Sequence, residues 1–241
     1  MKRRISFMKS SAAWIVGVIR YNLKIMFANK FIYFLLAAAA FFLLVVFLSL
    51  FDSNTSLNEA IIYYWLLIPG ILLIFYPTVF GLQNDADAFM LEILFAVPNY
   101  RYKIWLIRLI LIYLVVFLML GILALISAFS LVSFSVGKMV YELMFPVFFL
   151  GSLAFFISSA VRNGYGAAAL MIMIGIFFWI SSGILAESKW NLFLNPFHTP
   201  ENVSDFVWHD VMIKNRIYQS VGIVISILLG LLNLQKREKF I

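Results

Sequence analysis

Residues 31–51 of this chain, FIYFLLAAAAFFLLVVFLSLF, run for 21 residues without a charged side chain. A helix of that length reaches roughly 32 Å at 1.5 Å per residue, enough to cross the hydrocarbon layer of a bilayer. Water is absent from that layer, so a crossing segment must satisfy its backbone internally, and a run of this kind reads as a helix. The same pattern recurs near 60–82, 104–129, 139–161, 165–185 and 217–234. The chain is 64% hydrophobic and 12% charged, about half the charge of a soluble domain. The expected fold is therefore all-α: one polytopic membrane domain over residues 1–241 with six spans and no nucleotide-binding domain. Pro69 and Pro77 are expected to kink the second span, and Pro146 falls in the first turns of the fourth.

Basic residues set the orientation. With six spans both termini share a side, and of the 18 Lys and Arg only Lys138, Lys189, Lys214 and Arg216 fall on the other. That asymmetry predicts that both ends are cytoplasmic. The net charge of +7 then points to anionic headgroups rather than nucleic acid. The basic start MKRRISFMKSSAAW lacks the short apolar core and cleavage site of a signal peptide. Within 10–29, Arg20 and Lys24 share with Lys9 one narrow stripe of a helical wheel opposite Trp14, Ile15 and Ile19. A helix so divided is expected to lie in the membrane interface. The segment 186–216 is expected to form one or two short helices at the outer leaflet before the last span.

Between spans two and three stands GLQNDADAFMLEILFAVPNYRYKIW, residues 81–105. Asn84 or Asp85 is a candidate helix cap, with Asp85 and Asp87 placed where a helix N-terminus favours negative charge. Residues 86–97 suit a helix, and Pro98 ends it. At roughly 20 Å it is too short to cross a bilayer. On a wheel Asp85, Ala88, Glu92 and Ala96 cluster, predicting an acidic, small-residue strip toward the cytosol. Such a rod suits docking of a soluble partner, and equally an interfacial re-entry helix without one.

The stretch DADAFMLEILFAVPNYRYKIWLIRLILIYL resembles the second cytoplasmic segment of type-two ATP-binding-cassette permeases. Glu92, Pro98, Arg101 and Arg108 occupy its acidic, proline and basic positions. Phe89 and Met90 stand where that family usually carries Gly-Thr. The layout of an amphipathic first segment, six spans and an Asn-Pro at Asn195–Pro196 is similar as well. The resemblance implies a membrane subunit of an exporter in a bacterial cytoplasmic membrane, dimeric with a like or unlike second permease subunit. It implies a separate ATPase subunit carrying ATP and Mg, engaged by a coupling helix that includes Asp85, Asp87, Glu92, Pro98 and Arg101. The chain itself has no G-x-x-x-x-G-K-[ST] phosphate loop, and RNGYGAAAL (162–170) reads as a tight turn and helix start.

Other chemistries fit less well. His198 and His209 with Glu201, Asp205 and Asp210 match no metal-ligand spacing, and no cofactor is expected on this chain. Ser152 after Gly151 has no histidine or acid inside a span to activate it, so no enzymatic role is expected. A secondary transporter or channel usually keeps ionisable residues at the midplane. Here Arg108 and Glu142 lie near span ends and are expected to snorkel. A non-transporting immunity or assembly factor of the same layout is a further alternative. The chain has no cysteine, so orientation is open to a direct check. Asp87→Cys should resist a membrane-impermeant maleimide on intact cells and Lys189→Cys should react. The reverse pattern would contradict the expected topology.

Overall fold

The structure, a computed structural model, describes residues 31–51, 57–91, 94, 100–200 and 203–235. The expected interfacial helix over 10–29, with Lys9, Arg20 and Lys24, lies outside the described residues, as do Glu92 and Pro98. Among the described residues six helices are long and apolar enough to cross a membrane, and the chain is a multi-pass membrane protein. They are α1 (Phe31–Phe51), α2 (Glu59–Asp87), α3 (Ile107–Ser130), α4 (Val136–Val161), α5 (Gly164–Ile184) and α6 (Asp205–Asn233), with a π-helical turn Arg101–Leu106 opening α3.

The short connections from α3 to α4 and from α4 to α5 make those neighbouring helices antiparallel. The turn from α4 to α5 takes two residues: Arg162 adopts a left-handed conformation (φ 60°), and the Asn163 side chain then caps α5 by accepting from the Gly166 amide at 3.0 Å. Asn58 caps α2 in the same way through the Ile61 amide. One end of the bundle, here called basal, holds the 88–100 connection, the α4–α5 turn and the end of α6. The other, apical, end holds residues 131–135, 185–200 and 203–204.

α2 and α4 form the centre. α4 packs against α2, α3, α5 and α6, and α2 against α1, α3, α4 and α5. Each is buried over most of its length, whereas α5 is exposed nearly all round. Ile62, Tyr63, Leu66, Leu73 and Ile74 of α2 meet Met139, Leu143 and Val147 of α4 in the main core. Lipid tails are as apolar as these side chains, so burial alone does not drive the helices together; close packing does. Small residues permit it. A β-carbon at Gly222 of α6 would stand 2.5 Å from the Phe149 ring, and one at Gly230 would stand 2.6 Å from Phe155. Pro69 and Pro77 lie within α2 and Pro146 within α4. Thr78, beside Pro77, returns its hydroxyl to the Ile74 carbonyl at 2.7 Å.

Two boundaries differ from expectation. α2 continues five residues past 82 to Asp87. The last helix begins at Asp205, not 217, and residues 185–200 make turns rather than short helices. Hydropathy truncates α6 because Lys214, Asn215 and Arg216 look like loop residues. In the fold Lys214 pairs with Asp210 one turn back, and Asn215 donates to the Lys189 and Asn191 carbonyls at 2.8 Å. The polar turns are thus helical because their side chains are engaged. Gly151 is crowded by Ile74 and Tyr113, while a β-carbon at Gly175 would meet nothing within 4 Å. Gly151→Val should cost about 1–3 kcal/mol by overpacking, and Gly175→Val should stay within about 0.5 kcal/mol of the parent. Unfolding in mixed micelles measures both, and equal losses would contradict the packing described.

Candidate functional site at the base of the bundle

The described residues of 81–108 make a set of specific contacts at the basal end. α2 closes with the Ala88 amide on the Asn84 carbonyl (3.1 Å), Phe89 on Ala86 (2.9 Å) and Met90 on Asp85 (2.9 Å). Phe89 takes a left-handed conformation, φ 53°, and is 88% exposed. A bulky side chain rarely adopts that backbone. The connection then returns inward: Leu94 donates to the Met90 carbonyl at 3.0 Å, and Leu91 and Leu94 are both buried.

They enter a second apolar cluster, distinct from the main core. It gathers Leu82 of α2, Tyr100 and Trp105 of the connection and π-helical turn, Leu109 of α3, Phe155 of α4, and Leu231 and Leu234 at the end of α6. The Tyr100 hydroxyl donates to the Leu234 carbonyl at 2.6 Å, satisfying one of the carbonyls left over where α6 ends. Leu91, Leu94 and Tyr100 are therefore gripped by the ends of several spans at once.

A buried ion pair closes the base. Arg108 Nη1 donates to Asp85 Oδ2 at 2.5 Å, with side chains 5% and 4% exposed. The guanidinium also lies over the Trp105 ring, 4.9 Å from its centroid. Arg108 Nε and Nη2 and the Trp105 indole nitrogen have no hydrogen-bond partner among the described residues. Nearby, the Gln83 side chain accepts from the Gly164 amide, and the Ser158 hydroxyl donates to the Val79 carbonyl at 2.7 Å. These contacts join α2 to α5 and α4.

These positions correct two expectations. Asp85 neither caps a new helix nor faces outward. It sits in the last turn of α2, at the end where the helix dipole disfavours an acid, and Arg108 supplies the compensating charge. Arg108 does not snorkel, because its partner lies beside it in the bundle. Asp87 is exposed at the close of α2, and Arg101 opens the π-helical turn.

The apical end mirrors this arrangement. Glu142 of α4, expected near a water boundary, is 8% exposed. Arg216 Nε donates to Glu142 Oε2 at 2.8 Å. Arg216 Nη2 stands 2.8 Å from the same oxygen but off the hydrogen-bonding angle. Asn215 accepts from Arg216 and from Gln219, and Gln219 donates to the Leu192 carbonyl. Asn195 donates to the Ala60 carbonyl at 2.8 Å. The spacing of Asn215 and Gln219, four apart on one helix face, is a signal that sequence reading passed over. Elsewhere the Ser152 hydroxyl returns to its own helix at the Phe149 carbonyl, and among the described residues no three of His, Asp and Glu come together.

No protein-family model, no curated protein and no solved structure matches the chain.

Removing one member of a buried pair strands the other charge. Arg108→Met should cost about 3–5 kcal/mol, and adding Asp85→Leu should recover most of that loss. Equilibrium unfolding in mixed micelles reads both. Additive losses in the double variant would show that the two groups do not act as a pair.

Proposed function

We propose that this chain is the membrane subunit of an ATP-binding-cassette exporter of the type-two group, working as a dimer on separate ATPase subunits. The basal end and both termini then face the cytoplasm of a bacterial cell, and residues 88–100 are the coupling segment. One observation supports this reading above the others. Leu91, Leu94 and Tyr100 anchor that segment in a cluster shared by α2, α3, α4 and α6, so a push on it is delivered to four spans together. ATP binding on the partner and cargo binding in the membrane would be linked because each favours one arrangement of those spans.

In this reading the partner contact is made by Asp87 and Phe89, both exposed at the turn, and by Glu92, Pro98 and Arg101 from the resemblance. Asp85 has a different role: with Arg108 it braces the base of the segment. A second reading gains support from the two buried ion pairs, Asp85–Arg108 and Glu142–Arg216. Buried ionisable groups are a usual mark of ion-coupled secondary transport, which places them near the midplane, whereas these two pairs lie at the ends of the bundle.

The two readings make opposite demands. Affinity purification of the chain should bring down an ATPase subunit encoded beside it, and Glu92→Lys or Asp87→Lys should lower that recovery at least tenfold without loss of membrane insertion. Transport by the chain alone in liposomes under an ion gradient, with no ATPase present, would overturn the exporter reading in favour of the secondary transporter.

A further inference from the structure

α3, α4 and α6 leave a groove of about 580 Å³ between them. It is walled by Tyr113 and Phe117 of α3, Tyr141 and Phe145 of α4, and Ser220 and Val224 of α6. That volume is in the range of pockets that hold small organic ligands, and the lining is as apolar as theirs. The rings are fixed in place. Tyr113 stacks on Phe148 with centroids 4.1 Å apart and donates its hydroxyl to the Phe148 carbonyl at 3.2 Å. Tyr141 meets Phe145 edge-on at 5.1 Å. Ser220, the smallest wall residue, leaves open the space that a larger side chain on α6 would fill.

The apical rim of the groove is charged. Arg216 lies one turn above Ser220, with its guanidinium 5.1 Å from the Phe145 ring, and it is paired with Glu142. Lys138 stands one turn above Tyr141. It is exposed, it touches the Phe197 ring at 5.5 Å, and among the described residues it has no carboxylate within ion-pair distance. The pair cancels, and Lys138, one turn before Tyr141 on α4, adds an exposed positive charge toward the apical end. Tyr141, a wall residue 60% exposed, has a hydroxyl with no hydrogen-bond partner among the described residues.

The geometry points to a binding site for one anionic phospholipid of the apical leaflet, with an acyl chain in the groove and the phosphate at Lys138. The Tyr141 hydroxyl donates to the lipid at the glycerol level, between the two. Tyrosine at that depth, with an apolar body and a polar tip, suits the boundary between tails and headgroups. A second cavity of about 490 Å³ lies between α1, α2 and α5, but Gln83, Asn84 and Asp87 line it beside Phe34 and Tyr165, so it is less suited to an acyl chain than the apolar groove. The site stands on the membrane-spanning architecture alone and is independent of any ATPase partner.

The test uses the full chain in nanodiscs with phosphatidylglycerol carrying a diazirine in its acyl chain, and mass spectrometry to map the adducts. Adducts should concentrate on Phe117, Phe145 and Val224, at least fivefold above Leu43 of α1 and Ile176 of α5. Ser220→Trp, an exposed position, should abolish that excess while leaving the Leu43 and Ile176 adducts unchanged. Lys138→Gln should lower groove labelling by phosphatidylglycerol about threefold and leave labelling by an uncharged long-chain alcohol probe as it was. Even labelling of all exposed helices would mean bulk lipid contact only and would overturn the site. Equal labelling by zwitterionic phosphatidylcholine would overturn its anionic headgroup assignment, and groove adducts to a second copy of the chain would show a protein interface instead.

Discussion

A guanidinium and a carboxylate meet out of reach of water where α2 ends and α3 begins, and the base of this bundle depends on that meeting. Arg108 and Asp85 are each costly to bury alone, and each makes the other tolerable. With the pair formed, α2 can run on to Asp87 although an acid sits at its unfavourable end. The helix therefore stops only at the turn through Phe89. That placement sends Leu91 and Leu94 back into the cluster with Leu82, Leu109, Phe155 and Leu234. Those residues of the connection between spans two and three thereby become part of the packed bundle.

The same physics shapes the apical end by different means. Residues 185–200 lack regular structure, yet Leu192, Phe193 and Leu194 are buried. The backbone carbonyls of Lys189, Asn191 and Leu192 find donors in Asn215 and Gln219 of α6, which projects beyond a hydrocarbon thickness to reach them. Glu142 and Arg216 complete that end as Asp85 and Arg108 complete the other. Both ends hold one buried ion pair between neighbouring helices, and the middle of the bundle is held by apolar packing around small residues such as Gly151 and Gly222.

Much of this was legible in the sequence, for a definite reason. An uncharged run such as 31–51 has one stable conformation in a bilayer, so span number and helical character follow from length and hydropathy. Where charges occur, that logic weakens, because one side chain does not announce its partner. Asp85 looked like a cap because Asn and Asp at a polar break usually are caps; its true partner lies 23 residues away. Arg216 looked like a loop residue for want of a visible link to Glu142, 74 residues earlier. Glycines at close helix contacts read the same as Gly175, which touches nothing. Spans came from a local property, whereas pairings came from the tertiary arrangement.

The Asp85–Arg108 contact fixes the turn through Phe89, and with it Leu91 and Leu94, against the bundle. Because the chain has no cysteine, spin labels placed at Phe89→Cys and Leu232→Cys report one distance across the base of the bundle, to the exposed face of α6. Pulsed electron resonance on that protein should give a single narrow distribution, and the same labels with Asp85→Asn should give a broad or displaced one. An unchanged narrow distribution after loss of the carboxylate would contradict the account.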